Sequence, residues 1–147
     1  MAFADASHVP AARWANRPLR ILIADDTAAI REILARMLHQ SVDAQVYEAR
    51  NGLEALREYR AKLPHIVFLD IDMPESDGLT VLKEIRSSDP DAFVVIVSGH
   101  GSLENVQEAL ASGVAAFVVK PFNGRRIAAV LQKFARSVGD PGLVAAG

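Results

Sequence analysis

A chain of 147 residues that is 50% hydrophobic and 23% charged has globular composition and enough length to bury a two-sided core without staples. Its formal net charge of −2 excludes bulk attraction to nucleic acid or anionic membranes, and the absence of cysteine excludes disulfides, thiol catalysis and thiolate metal sites together. No run approaches membrane-spanning length and the N-terminus lacks a signal-peptide core, so a soluble, cytoplasmic protein is expected.

Residues 1–18 are alanine-rich, contain Pro10 and Pro18 and show no clean period. They are expected to form a mobile arm, with Trp14 between Arg13 and Arg17. Leu19 to Ala24 is an apolar run that stops at Asp25-Asp26-Thr27, after which Ile30, Ile33, Leu34, Met37 and Leu38 recur at helical spacing. Gln45 to Ala49 follows as a short strand, and Asn51-Gly52 opens a helix with Leu53, Leu56 and Leu63 on its expected core side, closed by Pro64. Ile66 to Leu69 is a strand buried on both faces that ends on Asp70. Beyond the turn residues Met73-Pro74 and Asp77-Gly78, a third helix uses Leu79, Leu82 and Ile85 and breaks at Asp89-Pro90. Phe93 to Val97 is a strand stopping at Ser98-Gly99-His100-Gly101, and Leu103, Val106 and Leu110 mark a fourth helix ended by Ser112-Gly113. Val114 to Val119 is the fifth strand and stops at Lys120-Pro121; Ile127, Val130, Leu131 and Phe134 stripe the last helix. The domain is expected to span 19–137, with 138–147 as a short tail. Five alternations of strand and helix specify parallel strands with right-handed crossovers in a three-layer α/β sandwich.

Parallel strands present their C-terminal ends on one edge, where open α/β sheets bind ligands. Those ends carry Asp25 and Asp26, Asp70, Ser98 and Lys120, while the second strand contributes nothing obvious. Singly, each has an ordinary explanation. The two adjacent acids would cap a helix, although Thr27 is able to cap alone; Asp70 would start a turn, Ser98 would be a turn hydroxyl and Lys120 a solvated surface cation. Coincidence at four of five strand ends points instead to a site. Three carboxylates about 5 Å apart repel by about 3 kcal/mol per pair at an effective dielectric near ~20, so they need compensation. Lys120 supplies one positive charge, and an all-oxygen, acid-rich site suits Mg²⁺ or Mn²⁺ beside a phosphate. A carboxylate in that setting is a candidate nucleophile toward phosphorus, with Ser98 donating to a phosphoryl oxygen.

Leu22 to Asp26, Asp70 with Met73-Pro74 and Asp77-Gly78, Ser98-Gly99 and Lys120-Pro121 together resemble the receiver domain of two-component response regulators, over about Leu19 to Ser137. The resemblance implies a flavodoxin-like sheet in the order 2-1-3-4-5 with five helices. It implies Asp70 as phosphoacceptor, Mg²⁺ (or Mn²⁺) held by Asp25, Asp26, Asp70 and the backbone carbonyl of Asp72, Ser98 as the switch hydroxyl and Lys120 as the partner of the phosphoryl group. It further implies Phe117 as the switch aromatic, turning inward as Ser98 moves past a small Gly99, and a cis peptide between Lys120 and Pro121. Asp70 is preferred to Asp72 as acceptor because it closes the buried run directly and has Met73-Pro74 at the family's spacing.

The Asp72 side chain adds negative charge where a dianion must arrive, and is expected to slow phosphorylation or tighten metal binding. His100 is expected to be an exposed loop histidine, with tuning of hydrolysis as the alternative. The implied partners are a histidine kinase or histidine phosphotransfer protein upstream, and downstream a protein at the face made by Ser102 to Ser112, Val114 to Val119 and Gly124 to Ser137. With no domain-sized segment after Ser137, output is expected to pass through a separate protein. Arg125, Arg126, Lys133 and Arg136 make the last helix basic, read as a solvated face ahead of an acidic-partner site. Two other function classes compete. Asp70-Ile71-Asp72 is also similar to the paired acids of haloacid-dehalogenase-type hydrolases, although the chain lacks room for a cap domain, and an adaptor that ignores phosphate is the third reading.

Overall fold

The computed structural model describes residues 18–73, 78–99 and 103–144. The arm to position 17 with Trp14, the turn at 74–77, His100 and the last three residues of the tail lie outside the described residues. Strands β1 (Leu19–Ala24), β2 (Ala44–Ala49), β3 (Ile66–Asp70), β4 (Phe93–Ser98) and β5 (Ala116–Val119) alternate with helices α1 (Ala28–Ser41), α2 (Gly52–Lys62), α3 (Gly78–Ser88), α4 (Leu103–Ala111) and α5 (Gly124–Ser137). A 3-10 turn, Pro141–Leu143, follows. All neighbouring strands pair in parallel in the order β2-β1-β3-β4-β5, the flavodoxin-like arrangement.

Strand side chains alternate between faces, and the core divides accordingly. Ile21, Ile23, Ile66, Phe68, Val95, Val97 and Val118 face Leu34 and Leu38 of α1 and Ile127, Val130, Leu131 and Phe134 of α5. Leu22, Ala24, Val67, Leu69, Val94 and Ile96 face Ala55 and Tyr59 of α2, Val81, Leu82 and Ile85 of α3 and Ala109 of α4. Every residue of the central strand β3 is buried. At about 1.5–3 kcal/mol for each large apolar side chain removed from water, β3 is a rigid base for the acid at its end.

Several apolar side chains expected in the core lie outside it. Leu53, Leu63, Leu110 and Ile33 are exposed. Helix α2 packs through Gly52, Ala55 and Tyr59 with Leu56 at the margin, a stripe that excludes Leu53, and Leu63 lies beyond the last turn as a left-handed cap with φ 48°. The face turned to the sheet is the one that carries Ala55 and Tyr59, so Leu53 points outward. Among the described side chains of α4 the buried one is Ala109, and the adjacent Leu110 turns to solvent. β5 begins at Ala116 rather than Val114.

The basic character of α5 has a structural use. β5 is an edge strand whose outward carbonyls have no strand to pair with. Arg126 Nη2 donates to the Phe117 carbonyl at 3.0 Å, and Lys133 Nζ donates to that of Ala115. Two of the four basic side chains read as a solvated face therefore cover a sheet edge.

Candidate functional site

The strand ends converge as the parallel order requires. Asp25 follows β1 and is 2% exposed; Asp70 closes β3 and is 3% exposed; Asp26 opens to solvent. One carboxylate oxygen from each of the three lies within 4.8 Å of the others. Lys120, just past β5, donates to Asp25 Oδ2 at 2.8 Å and to Asp70 Oδ2 at 3.4 Å. The remaining oxygens are also occupied. Asp25 Oδ1 accepts the Thr27 N–H at 2.9 Å and Asp70 Oδ1 accepts the Asp72 N–H at 2.9 Å. Thr27 is the N-cap of α1 without a side-chain cap, and the Asp25 carboxylate accepts its N–H in the turn just ahead of the helix while facing the cluster.

Burial pushes the Asp70 carboxyl above the usual carboxylate range; the Asp72 N–H and the Lys120 ammonium oppose this without cancelling it, and the Asp25 charge adds to it. For Lys120, burial is the largest influence and lowers the pKa. The hydrogen bond to Asp25 and the charges of Asp70 and Asp25 outweigh it and hold the ammonium above an ordinary lysine. One cation thus balances two buried carboxylates, leaving an excess of negative charge that opens to water through Asp26. The donors are oxygens only, closely grouped, with two fixed and one solvated, and this set fits a small hard divalent cation.

Ser98 ends β4 fully buried, and its hydroxyl donates to Asp72 Oδ2 at 3.2 Å. The Asp72 side chain itself is exposed. Ser98 pairs with Val119 in the sheet, and Phe117, half-buried at the margin of the core between the sheet and α2, α3 and α4, lies on the same face two residues earlier. A Cβ added at Gly99 would meet nothing within 4 Å, so the resting packing does not itself demand a glycine there. The Lys120 N–H donates to the Ser98 carbonyl at 2.8 Å, and the Lys120–Pro121 peptide is cis.

The second strand is tied to the site indirectly, through Glu48 and a helix residue that sequence reasoning passed over. Arg31 of α1 donates through Nη1 to the Asp25 carbonyl at 2.6 Å and through Nε to Glu48 of β2 at 2.7 Å, with its side chain only 11% exposed. The signal was a charge on the helix stripe shared by Leu34 and Leu38, a position where an unpaired guanidinium is costly. Arg31 anchors the acidic loop between two strand ends. Arg31→Met is expected to weaken divalent-cation binding about tenfold, the usual scale for a group that orients ligating residues. Mg²⁺ titration calorimetry measures it; unchanged affinity would show that the loop holds its shape without the tether.

A family model for the response regulator receiver domain matches residues 21–132. The chain belongs to that family. The receiver is 41% identical over 118 residues to the chemotaxis protein CheY of Listeria monocytogenes, covering 80% of this chain and 99% of that protein. It is 39% identical over 114 residues to CheY of Bacillus subtilis, covering 78% and 95%. Among solved structures it is similar to a CheY-like receiver domain protein of Methanospirillum hungatei, with TM-score 0.76, 27% identity and coverage of 82% and 97%. It is also similar to the CheX-CheY-BeF3-Mg²⁺ complex of Borrelia burgdorferi, with TM-score 0.74, 30% identity and coverage of 78% and 87%. A CheY-like receiver is a phosphorylatable module of two-component signalling, and the hydrolase alternative gives way to it. No described helix of the receiver is long and apolar enough to cross a membrane.

Proposed function

We propose that this receiver takes a phosphoryl group from a phosphohistidine, on a histidine kinase or a histidine phosphotransfer protein, onto Asp70. A carboxylate oxygen of Asp70 forms the new P–O bond as the P–N bond breaks, and the donor imidazole keeps the electron pair and takes up a proton. Asp25, Asp26, Asp70 and the Asp72 backbone carbonyl are the groups that would hold Mg²⁺, or Mn²⁺. A metal bound there supplies positive charge against the oxygens of the incoming group. Lys120 shifts from its carboxylate partners toward the phosphoryl oxygens, and Ser98 donates its hydroxyl to one of them. Phe117, on the face of the sheet shared with Ser98, then turns inward and alters the α4–β5–α5 surface for a downstream protein.

The observation that carries this reading is the burial of Asp25 and Asp70 at one sheet edge with Lys120 bonded to both, and a third acid open to solvent. Such a cluster stores repulsion that a fold gains nothing by keeping, so its presence argues for use. The proposal extends to the chain as a whole. Residues 19–137 act as the receiver, 1–18 as an arm and 138–147 as a tail, in the cytoplasm, with phosphotransfer and dephosphorylation confined to Asp70 rather than turned over on outside substrates.

Incubation with acetyl phosphate and Mg²⁺ is expected to yield a hydroxylamine-sensitive adduct in the parent and none in Asp70→Asn, read by intact-protein mass spectrometry. Turnover of phosphate esters would favour an enzyme. Absence of any adduct would favour an adaptor that ignores phosphate.

A further inference from the structure

The Ser98 hydroxyl, at the phosphoryl site in the reading above, is directed to Asp72 Oδ2 at 3.2 Å, while the Asp70 oxygens are engaged by the Asp72 N–H and by Lys120. A hydroxyl has one proton to donate. It can serve the Asp72 carboxylate or a phosphoryl oxygen, and not both. We propose that the Asp72 side chain is a latch that holds Ser98 in its resting arrangement, so that an arriving phosphoryl group must take the hydroxyl from it. The inference rests on Asp70 being the phosphoacceptor.

The two ends of the latch suit that role. Ser98 is fully buried, so its hydroxyl is not shared with bulk water, and a charged acceptor at 3.2 Å directs it through a long hydrogen bond. Asp72 is exposed, so its carboxylate stays in contact with water when the hydroxyl moves to a second anionic acceptor. The exchange is therefore close to balanced, which is what a two-state element needs if a ligand of modest differential affinity is to shift it. Position 72 is well placed for this, because its backbone N–H is bonded to Asp70 Oδ1 and its side chain reaches β4 from the same turn. A single residue is thereby connected to both the acceptor and the switch hydroxyl. The same carboxylate also repels an incoming anion, and this charge effect operates whether or not Ser98 is present. The two effects separate only when both positions are varied together.

The test uses beryllofluoride with Mg²⁺ as the phosphoryl mimic, on the parent, Asp72→Ala, Ser98→Ala, the double variant and Asp70→Asn. Removal of the latch is expected to tighten beryllofluoride binding about tenfold more in the presence of Ser98 than in Ser98→Ala, the difference being the coupling between the two side chains. Equal factors in both backgrounds, with binding still dependent on Asp70, would overturn the latch alone and leave a plain charge effect. Binding that survives Asp70→Asn would overturn the assignment of the acceptor and the latch with it. A second readout needs neither metal nor mimic. Three-bond couplings about χ1 of Ser98 are expected to report one rotamer in the parent and averaging in Asp72→Ala, and unchanged couplings would overturn the proposal.

Discussion

Gly78→Ala is expected to cost about 3 kcal/mol of stability and to lose the phosphoryl adduct with it. The reason lies in what a single methyl group would meet at the first residue of α3. A Cβ built there falls 2.3 Å from the Asp70 carbonyl oxygen, 2.6 Å from the Ile71 Cα and 2.9 Å from the Asp70 carbonyl carbon. All three are backbone atoms, so no side chain can swing aside. The Gly78 N–H donates to the Ile71 carbonyl at 3.2 Å, tying the start of the helix to the end of β3, and Ile71 and Met73 are both buried beneath it. Relief requires either the helix or the segment that carries Asp70 to move. Urea denaturation measures the first effect and the acetyl phosphate adduct the second. A variant that folds with parental stability would show that the helix start is free to shift.

Lys120→Met is expected to destabilise the protein by about 3 kcal/mol at neutral pH, the scale for removing one partner of a buried ion pair. Lys120 is 20% exposed by side chain and both of its carboxylate partners only 3%, so the charges left behind are poorly hydrated. The loss depends on pH in a definite direction. Burial already holds the Asp70 pKa above its ordinary value, and removing Lys120 deletes two of the influences that lower it. A carboxyl raised in the folded state contributes stability that is fully present below its unfolded pKa, about 4, and is lost as pH rises through the folded value. The deficit relative to the parent is therefore smallest in acid and grows toward neutrality. Adding Asp70→Asn to Lys120→Met removes one stranded charge and is expected to recover part of it. Chemical denaturation at several pH values checks this, and a deficit that does not vary with pH would show that Lys120 does not act on the titration of Asp70.

Much of the candidate site was legible because strand ends are legible. Asp25, Asp70, Ser98 and Lys120 each follow an apolar run, and a parallel sheet gathers such positions whatever the details of packing. Residues whose role depends on distance across the fold were not. Arg31 was hidden by its neighbours on an apolar helix stripe, and its partner Glu48 lies on β2, where no strand-end signal pointed to the site. Leu53 and Leu63 misled in the opposite sense, since large apolar side chains suggest a core that Gly52, Ala55 and Tyr59 in fact form.

The Asp72 side chain is the clearest case of the division. From sequence it is an added charge beside the acceptor; in the fold it accepts a hydrogen bond from Ser98, 26 residues away. The sequence by itself determined the alternation of elements, the parallel sheet and the chemistry at its edge, because periodicity and strand-end residues are local properties. The tertiary structure alone decided which oxygen Lys120 reaches, why position 78 must be glycine and which acceptor holds the Ser98 hydroxyl. Those depend on how closely separate segments approach in the fold, where a fraction of an ångström decides, and side-chain type does not encode such approaches.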